Sequence, residues 1–227
     1  LAPAGTAIAM VFADGHEPSM MEILDRASLR QVEAAYRMDL DVDAACLLLI
    51  QAAGDDADTT IAAIAAICER GGASFVYHAT DPQEGDLLIE ARRRVWPAME
   101  QLGKLLLPED VAVPRERLTE LLAGITRIGD DTGVQMATIG HAGDGNMHPL
   151  FVIDPDDPEE LERAKQAFAA ILDLSLELDG TIAAEHGIGT LKRDYIEREL
   201  DPVQLEVQRR VRHALDPDGR FNPGKAL

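Results

Sequence analysis

The chain predicts an α+β domain in which an antiparallel sheet carries helices packed on one side. Three observations predict it. Between residues 5 and 79 the order strand, helix, strand repeats, with turn residues between the runs. Asp144-Gly145 separates two apolar stretches, VQMATIG and PLFVID, as a tight turn separates the arms of a hairpin. Two later stretches open with Asp-Pro and continue with apolar residues at helical spacing.

The elements follow in order. Residues 5–13, GTAIAMVFA, read as a strand closed by Asp14-Gly15, and residues 20–24, MMEIL, as a second short strand before a helix from about Ser28 to Arg37. Residues 43–54, DAACLLLIQAAG, hold an apolar run too short for a helix between turn signals, hence a buried strand. Residues 58–70 place Ile61, Ile64, Ala65 and Cys68 on one helical face, with Gly71-Gly72 as the stop, and SFVYHA follows as a strand. From Gln83 to about Gly103 a charged helix carries Arg92, Arg93 and Arg94 and then Trp96-Pro97, where the proline breaks or kinks it. Pro114 to about Ile128 is helical, with apolar Leu118, Leu121, Leu122 and Ile125. Asp157, Pro158 and Glu160 start a helix running to about Leu178, and Asp201, Pro202 and Gln204 start a last one ending near Leu215. The tail, DPDGRFNPGK, is a loop by composition. There is no internal repeat, low-complexity segment or linker.

With 227 residues the chain can bury a large core, and at 4% aromatics that core is built from Ala, Leu, Ile and Val. The net charge of -20 argues against nucleic acid or an anionic membrane surface as partner. It leaves room for a small anionic substrate held by a local arginine. Cys46 and Cys68 lie in apolar surroundings and read as reduced core thiols of a cytoplasmic protein. No signal peptide or long uncharged apolar run is present.

The chemistry concentrates in HAGDGNMH, residues 141–148. With Asp144 and Gly145 as a two-residue loop, His141 lies directly across from His148, Cβ atoms roughly 4.5–5.5 Å apart, and the two imidazoles can share a metal ion. Glu185, in AEHGIG, is a third candidate ligand, with His186 beside it. Two histidines and one carboxylate leave coordination positions open, as in catalytic metal sites. An ordinary hairpin turn with two surface histidines satisfies the same spacing. Glu185 and His186 can face one site only if the backbone turns there, which Gly187 and Gly189 permit. His16, His78 and His213 have no supporting neighbours and read as structural or surface residues.

GHAGDGNMHP, EHGIG with Lys192 three residues after its last glycine, and LDPDGRFNPGK together resemble the C-terminal part of FAD-linked 2-hydroxy-acid oxidoreductases, a family that includes the glycolate oxidase flavin subunit, D-lactate dehydrogenases and D-2-hydroxyglutarate dehydrogenase. MEILDRASL and ARRRVWPAM echo earlier segments of it. The resemblance implies ferredoxin-like character in the fold. It also implies His141, His148 and Glu185 as metal ligands, His186 as the base for the substrate hydroxyl, Arg92 as the holder of the substrate carboxylate and Asn222 as a residue near the flavin. Ile89 stands where many members have Trp. The implied cofactors are FAD and a divalent ion, zinc first with manganese or iron as alternatives. The implied substrate is a small 2-hydroxy acid of the glycolate or D-lactate type.

Nothing in residues 1–140 resembles the Gly-rich loop of a flavin domain, so residues 1–227 read as the substrate and metal side of such an enzyme. The expected partners are its own FAD-binding domain and an electron-acceptor subunit. The isolated chain is expected to be inactive. Two further readings fit the residues: a metal-dependent hydrolase using His141, His148 and Glu185, and a non-catalytic ligand-binding module of ferredoxin-like fold.

Overall fold

The computed structural model describes residues 1–79 and 81–226. The elements run α1 (Ala2–Ala13), β1 (Met20–Asp25), α2 (Arg26–Tyr36), β2 (Cys46–Gln51), α3 (Ala57–Arg70), α4 (Pro82–Glu100), β3 (Leu105–Pro108), β4 (Val111–Ala112), α5 (Leu118–Thr132), β5 (Met136–His141), β6 (Asn146–Ile153), α6 (Pro158–Glu177), α7 (Ile196–Glu199) and α8 (Pro202–Leu215). The strands form one antiparallel sheet in the order β2-β1-β5-β6-β3, with β4 paired to the start of β6. The α+β class and the antiparallel sheet are as the sequence predicts.

The helices cover both faces of the sheet, not one. Leu24, Leu49, Ala137, Ile139, Leu150 and Val152 pack against Leu29 and Val32 of α2 and Val95, Ala98 and Met99 of α4. Residues of opposite parity, Met21, Ile23, Met147, Phe151 and Ile153, pack against α1, α3, α5 and α6 through Ile8, Val11, Ile64, Leu121, Leu122, Ile125, Phe168 and Ile171. Successive side chains of a strand point to opposite faces, so a strand buried along its whole length needs cover on both. β6 is such a strand, buried at all eight positions. The unbroken apolar run Leu150–Ile153 is the sequence trace of that two-sided burial.

Two segments expected as strands are otherwise. Residues 5–13 belong to helix α1, whose Ala4, Ala7, Ile8 and Val11 are buried at helical spacing. Alanine is the best helix former, and a helix wedged between two others is apolar nearly all round, which hides its period. α1 sits so close to α5 that a Cβ on Gly5 would meet Thr119 Oγ1 at 2.3 Å. SFVYHA makes no ladder; Phe75 and Tyr77 face solvent, 78% and 52% exposed. α4 continues past Pro97 to Glu100, because a proline this near the helix end forfeits only one late hydrogen bond. Among the described residues, no helix is long and apolar enough to cross a membrane.

The hairpin register also differs from expectation. His141 pairs with Asn146, Gly140 with Met147 and Ile139 with His148, so the loop is the four residues 142–145. Asp144 N–H donates to His141 O at 3.0 Å, and Gly145 follows at φ 73°, which makes the connection longer than the two-residue turn. The offset from the expected register is even, so side-chain parity is preserved. His141 and His148 become diagonal neighbours on the same face instead of direct opposites.

Gly145 is held both by its positive φ and by Val113 O, which a Cβ would meet at 2.1 Å, whereas Gly133 at φ 65° has open space around it. Strained backbone positions cost about 1–3 kcal/mol each. Gly133→Ala is expected near the bottom of that range, and Gly145→Ala near or beyond its top because the carbonyl must also move. Urea unfolding of both variants beside the parent checks the ordering; equal losses would contradict it.

Candidate functional site

At the β5–β6 end, the face that packs against α2 and α4 changes from apolar to polar. Parity places Glu22 of β1, His141 of β5, and Asn146 and His148 of β6 on that face, continuing the rows of Leu24, Ile139, Leu150 and Val152. The segment 184–186 comes over this patch from outside the sheet. It turns because Asp110 Oδ2 accepts the backbone N–H groups of Ala184, Glu185 and His186 at 2.9, 3.0 and 2.9 Å, with Gly187 and Gly189 following at φ 74° and 56°. Those glycines supply the turn that Glu185 and His186 need to face one place.

The structure brings four of the predicted site residues together. Glu185 Oε1 lies 3.3 Å from His141 Nε2, 3.1 Å from His148 Nε2 and 3.5 Å from His186 Nε2. The rings of His141 and His148 meet edge to face at 5.3 Å, and His148 stacks on His186 at 4.8 Å. His148 is buried, whereas Glu185 and His186 are about half exposed, so the cluster opens on the side of the 184–187 turn. A fifth residue, Arg92, reaches it through Glu22: its Nε lies 2.7 Å from Glu22 Oε2, while Glu22 Oε1 lies 2.5 Å from His141 Nδ1. Arg93 and Arg94 turn instead to Glu90. Asn222 stays outside. It is exposed, at φ 45°, and its carbonyl accepts from Arg212 and Lys225. His16, His78 and His213 likewise take no part.

Sequence reasoning missed the residues that hold this cluster in place. Glu22 backs His141, Asp110 shapes the 184–186 turn, and buried Asn146 lies opposite His141 on the ladder. Lys192, seen in the sequence only as part of a motif, is 4% exposed. Its three N–H donors reach Glu109 Oε1 at 2.6 Å and the carbonyls of Asp110 and Ile182 at 2.5 Å each. It therefore fastens the Asp110 segment to both ends of the AEHGIG loop. The one sequence signal for this group is PED at 108–110, two adjacent acids between short apolar runs.

The electrostatics follow from burial and partners. Burial works against charge on His141, but the hydrogen bond and charge of Glu22, helped by Glu185, outweigh it and raise its pKa above the ordinary histidine value. Burial, then the charge of His186, lowers that of His148. Burial opposes ionisation of Asp110, but the N–H donors of His186 and Glu185 hold its pKa below the usual carboxylate range. Burial pushes Glu109 up to about 7 against the pull of Lys192.

His141, His148 and Glu185 form a group able to hold a cation, and Asp110, His148 and His186 form a second. The first fits a divalent ion well. His141 Nδ1–H donates to Glu22, which leaves an Nε2 lone pair facing a carboxylate oxygen, so acceptors converge on one point and require a proton or a metal between them. The donor set of two imidazoles and a carboxylate suits zinc, manganese or iron.

Fold and site together define a class: an α+β domain carrying a histidine–carboxylate cluster at one end of a two-faced antiparallel sheet. The family described as FAD linked oxidases, C-terminal domain, matches residues 1–226, and the chain belongs to it. It is 35% identical over 210 residues to the glycolate oxidase subunit GlcD of Bacillus subtilis (strain 168), covering 92% of this chain and 45% of that protein. It is 33% identical to glycolate oxidase subunit GlcD of Escherichia coli (strain K12), covering 99% of this chain and 45% of that one. It is 30% identical to the mitochondrial D-lactate dehydrogenase [cytochrome] of Arabidopsis thaliana, covering 99% and 40%. The chain thus spans less than half the length of these relatives. Among solved structures, p-cresol methylhydroxylase with substrate bound shares the fold, with a TM-score of 0.64, 15% identity and coverage of 98% of this chain and 50% of that one. So does 4-ethylphenol oxidase from Gulosibacter chungangensis, with a TM-score of 0.57, 13% identity and coverage of 91% and 47%.

Lys192→Met leaves Glu109 buried without its cation, and removing one partner of a buried pair costs about 3–5 kcal/mol. Burial raises the folded pKa of Glu109 to about 7, above the ordinary carboxylate value, so stability is lost as pH rises through about 7; without the Lys192 charge that opposes this rise, the variant loses more than the parent as the acid ionises. The deficit of the variant in urea unfolding is therefore expected to be large above pH 7 and to shrink toward pH 5. A deficit that does not change with pH would contradict this account.

Proposed function

We propose that this chain is the substrate- and metal-side part of an FAD-dependent oxidoreductase that converts a small D-2-hydroxy acid, of the glycolate or D-lactate type, to its 2-oxo acid. The observation that carries the reading is the convergence of His141 Nε2, His148 Nε2 and His186 Nε2 on Glu185 Oε1, with Arg92 tied to the same cluster through Glu22. The names of the relatives, glycolate oxidase subunit and D-lactate dehydrogenase, support the substrate class. FAD is the hydride acceptor of this reading, and a divalent ion lowers the pKa of the substrate hydroxyl when bound.

The chain's own residues divide the remaining work. His141, His148 and Glu185 supply the ligand atoms. His186, about half exposed and stacked on His148, takes the hydroxyl proton at its imidazole. Arg92, its Nε engaged by Glu22, offers its two Nη groups to the substrate carboxylate, a geometry that guanidinium satisfies in two places at once. Asn222, on the exposed tail, is assigned to contact with the flavin-bearing half. That half is the chain's first partner in this reading, with an electron-acceptor subunit as the second. The free thiols Cys46 and Cys68 suit a reducing cytoplasm.

The test is elemental analysis of the purified chain beside its His141→Ala/His148→Ala double variant after dialysis at neutral pH. The expected result is about one equivalent of metal in the parent and none in the variant, with zinc ahead of manganese or iron. Metal at equal levels in both would remove the cluster from the mechanism. The chain alone is expected to neither retain FAD nor reduce a dye with glycolate or D-lactate; metal-dependent hydrolysis without flavin would turn the reading toward a hydrolase.

A further inference from the structure

We propose that Asp110 is a positioning residue that fixes the tautomer of His148, keeping the proton on Nδ1 so that Nε2 presents its lone pair to the cluster. The inference rests on the reading of His148 as a metal ligand. Its support lies in what each oxygen of one carboxylate does.

Asp110 Oδ2 accepts three consecutive backbone N–H groups, from Ala184, Glu185 and His186, at 2.9, 3.0 and 2.9 Å. These donors belong to the main chain, and the carbonyl of Asp110 is itself held by Lys192 Nζ. The orientation of the carboxylate is therefore set. The second oxygen, Oδ1, is buried without a hydrogen-bond partner. It lies 3.7 Å from His148 Nδ1, which is also buried without a hydrogen-bond partner. A buried polar atom with no partner is costly, and here two of them face each other.

An ionised carboxylate only accepts. The form of a neutral imidazole that complements it carries its proton on Nδ1 and its lone pair on Nε2. Nε2 is the atom that lies 3.1 Å from Glu185 Oε1. His141 shows the same arrangement with a closer contact: Nδ1 lies 2.5 Å from Glu22 Oε1, and Nε2 lies 3.3 Å from Glu185 Oε1. Each histidine thus has a carboxylate behind it and Glu185 in front. Asp110 adds a second task, since the oxygen that does not face His148 holds the turn carrying Glu185 and His186.

Asp110→Asn separates the two tasks. The carboxamide oxygen still accepts from the 184–186 turn, while its NH2 now points at His148 Nδ1. A donor there requires the lone pair on Nδ1 and the proton on Nε2, the wrong tautomer for ligation. The experiment uses the 227-residue chain with 15N-labelled histidine, stripped of metal and held at neutral pH. Two-bond nitrogen–proton correlations, assigned by their loss in His148→Ala, read the tautomer directly. Titration with zinc alone then reads affinity.

The expected result is an Nδ1–H tautomer of His148 in the parent, Nε2–H in Asp110→Asn, and zinc binding weaker in the variant by about 10–100-fold, the usual effect of losing a partner behind a ligand. An Nε2–H tautomer in the parent overturns the proposal, and decides the matter even if the variant fails to fold. An unchanged tautomer and affinity in Asp110→Asn overturns it too. Two equivalents of zinc in the parent and one in the variant would make Asp110 a ligand, with His148 and His186, and would likewise overturn it. The expected tautomers in a parent that takes up no zinc support the positioning role and reject the metal reading by themselves.

Discussion

The site depends on the bonds that Asp110 and its neighbours make across the chain. The sheet delivers Glu22, His141 and His148 as a by-product of strand parity. Glu185 and His186 come from no regular element, and their backbone is positioned by the N–H groups of 184–186 that Asp110 accepts. Asp110 is held in turn by Lys192, whose ammonium is neutralised by Glu109 and saturated by two carbonyls. A buried lysine with all three donors used is a rigid joint, and one that loses its acid becomes a liability of several kcal/mol. The histidines therefore meet Glu185 through a chain of polar contacts that begins outside the cluster.

Much of this was legible in the sequence, and what was missed has physical causes. His141, His148, Glu185 and His186 stood out because imidazoles and carboxylates next to glycines are rare enough to notice. The structure brings them to one place even though the hairpin register differs from the two-residue turn. The two histidines still share a face because only an odd offset would move a side chain to the other one. Glu22 and Asp110 were not legible. The first meets a histidine 119 positions away and the second bonds amides 74 to 76 positions away, and no local pattern encodes such pairings.

The fold shows the same division. Segments with clear caps or stops, such as Asp157-Pro158, Asp201-Pro202 and Gly71-Gly72, are helix ends as expected. The sequence of α1 reads as a strand because its alanines leave no polar face to mark the helical period. SFVYHA has the composition of a strand but no partner in the sheet, and composition alone does not supply one. Helices on both faces were hidden because the clue, the solid apolar run of β6, looks the same in a strand beside a hairpin as in one buried in the middle.

The polar patch lies on the same strands as the apolar core, two residues beyond Ile139 and two before Leu150. This gives the cluster a stiff jaw and a soft one. His141 and His148 share the cooperativity of the sheet, whose packed strands open only when much of the domain does. Glu185 and His186 sit about half exposed on a turn outside the sheet, held by hydrogen bonds to Asp110 instead of by paired strands. A cavity made at Ile139 or Leu150 would thus reach the chemistry as a loss of geometry, while changes in the turn would alter what the site accepts and leave its foundation intact.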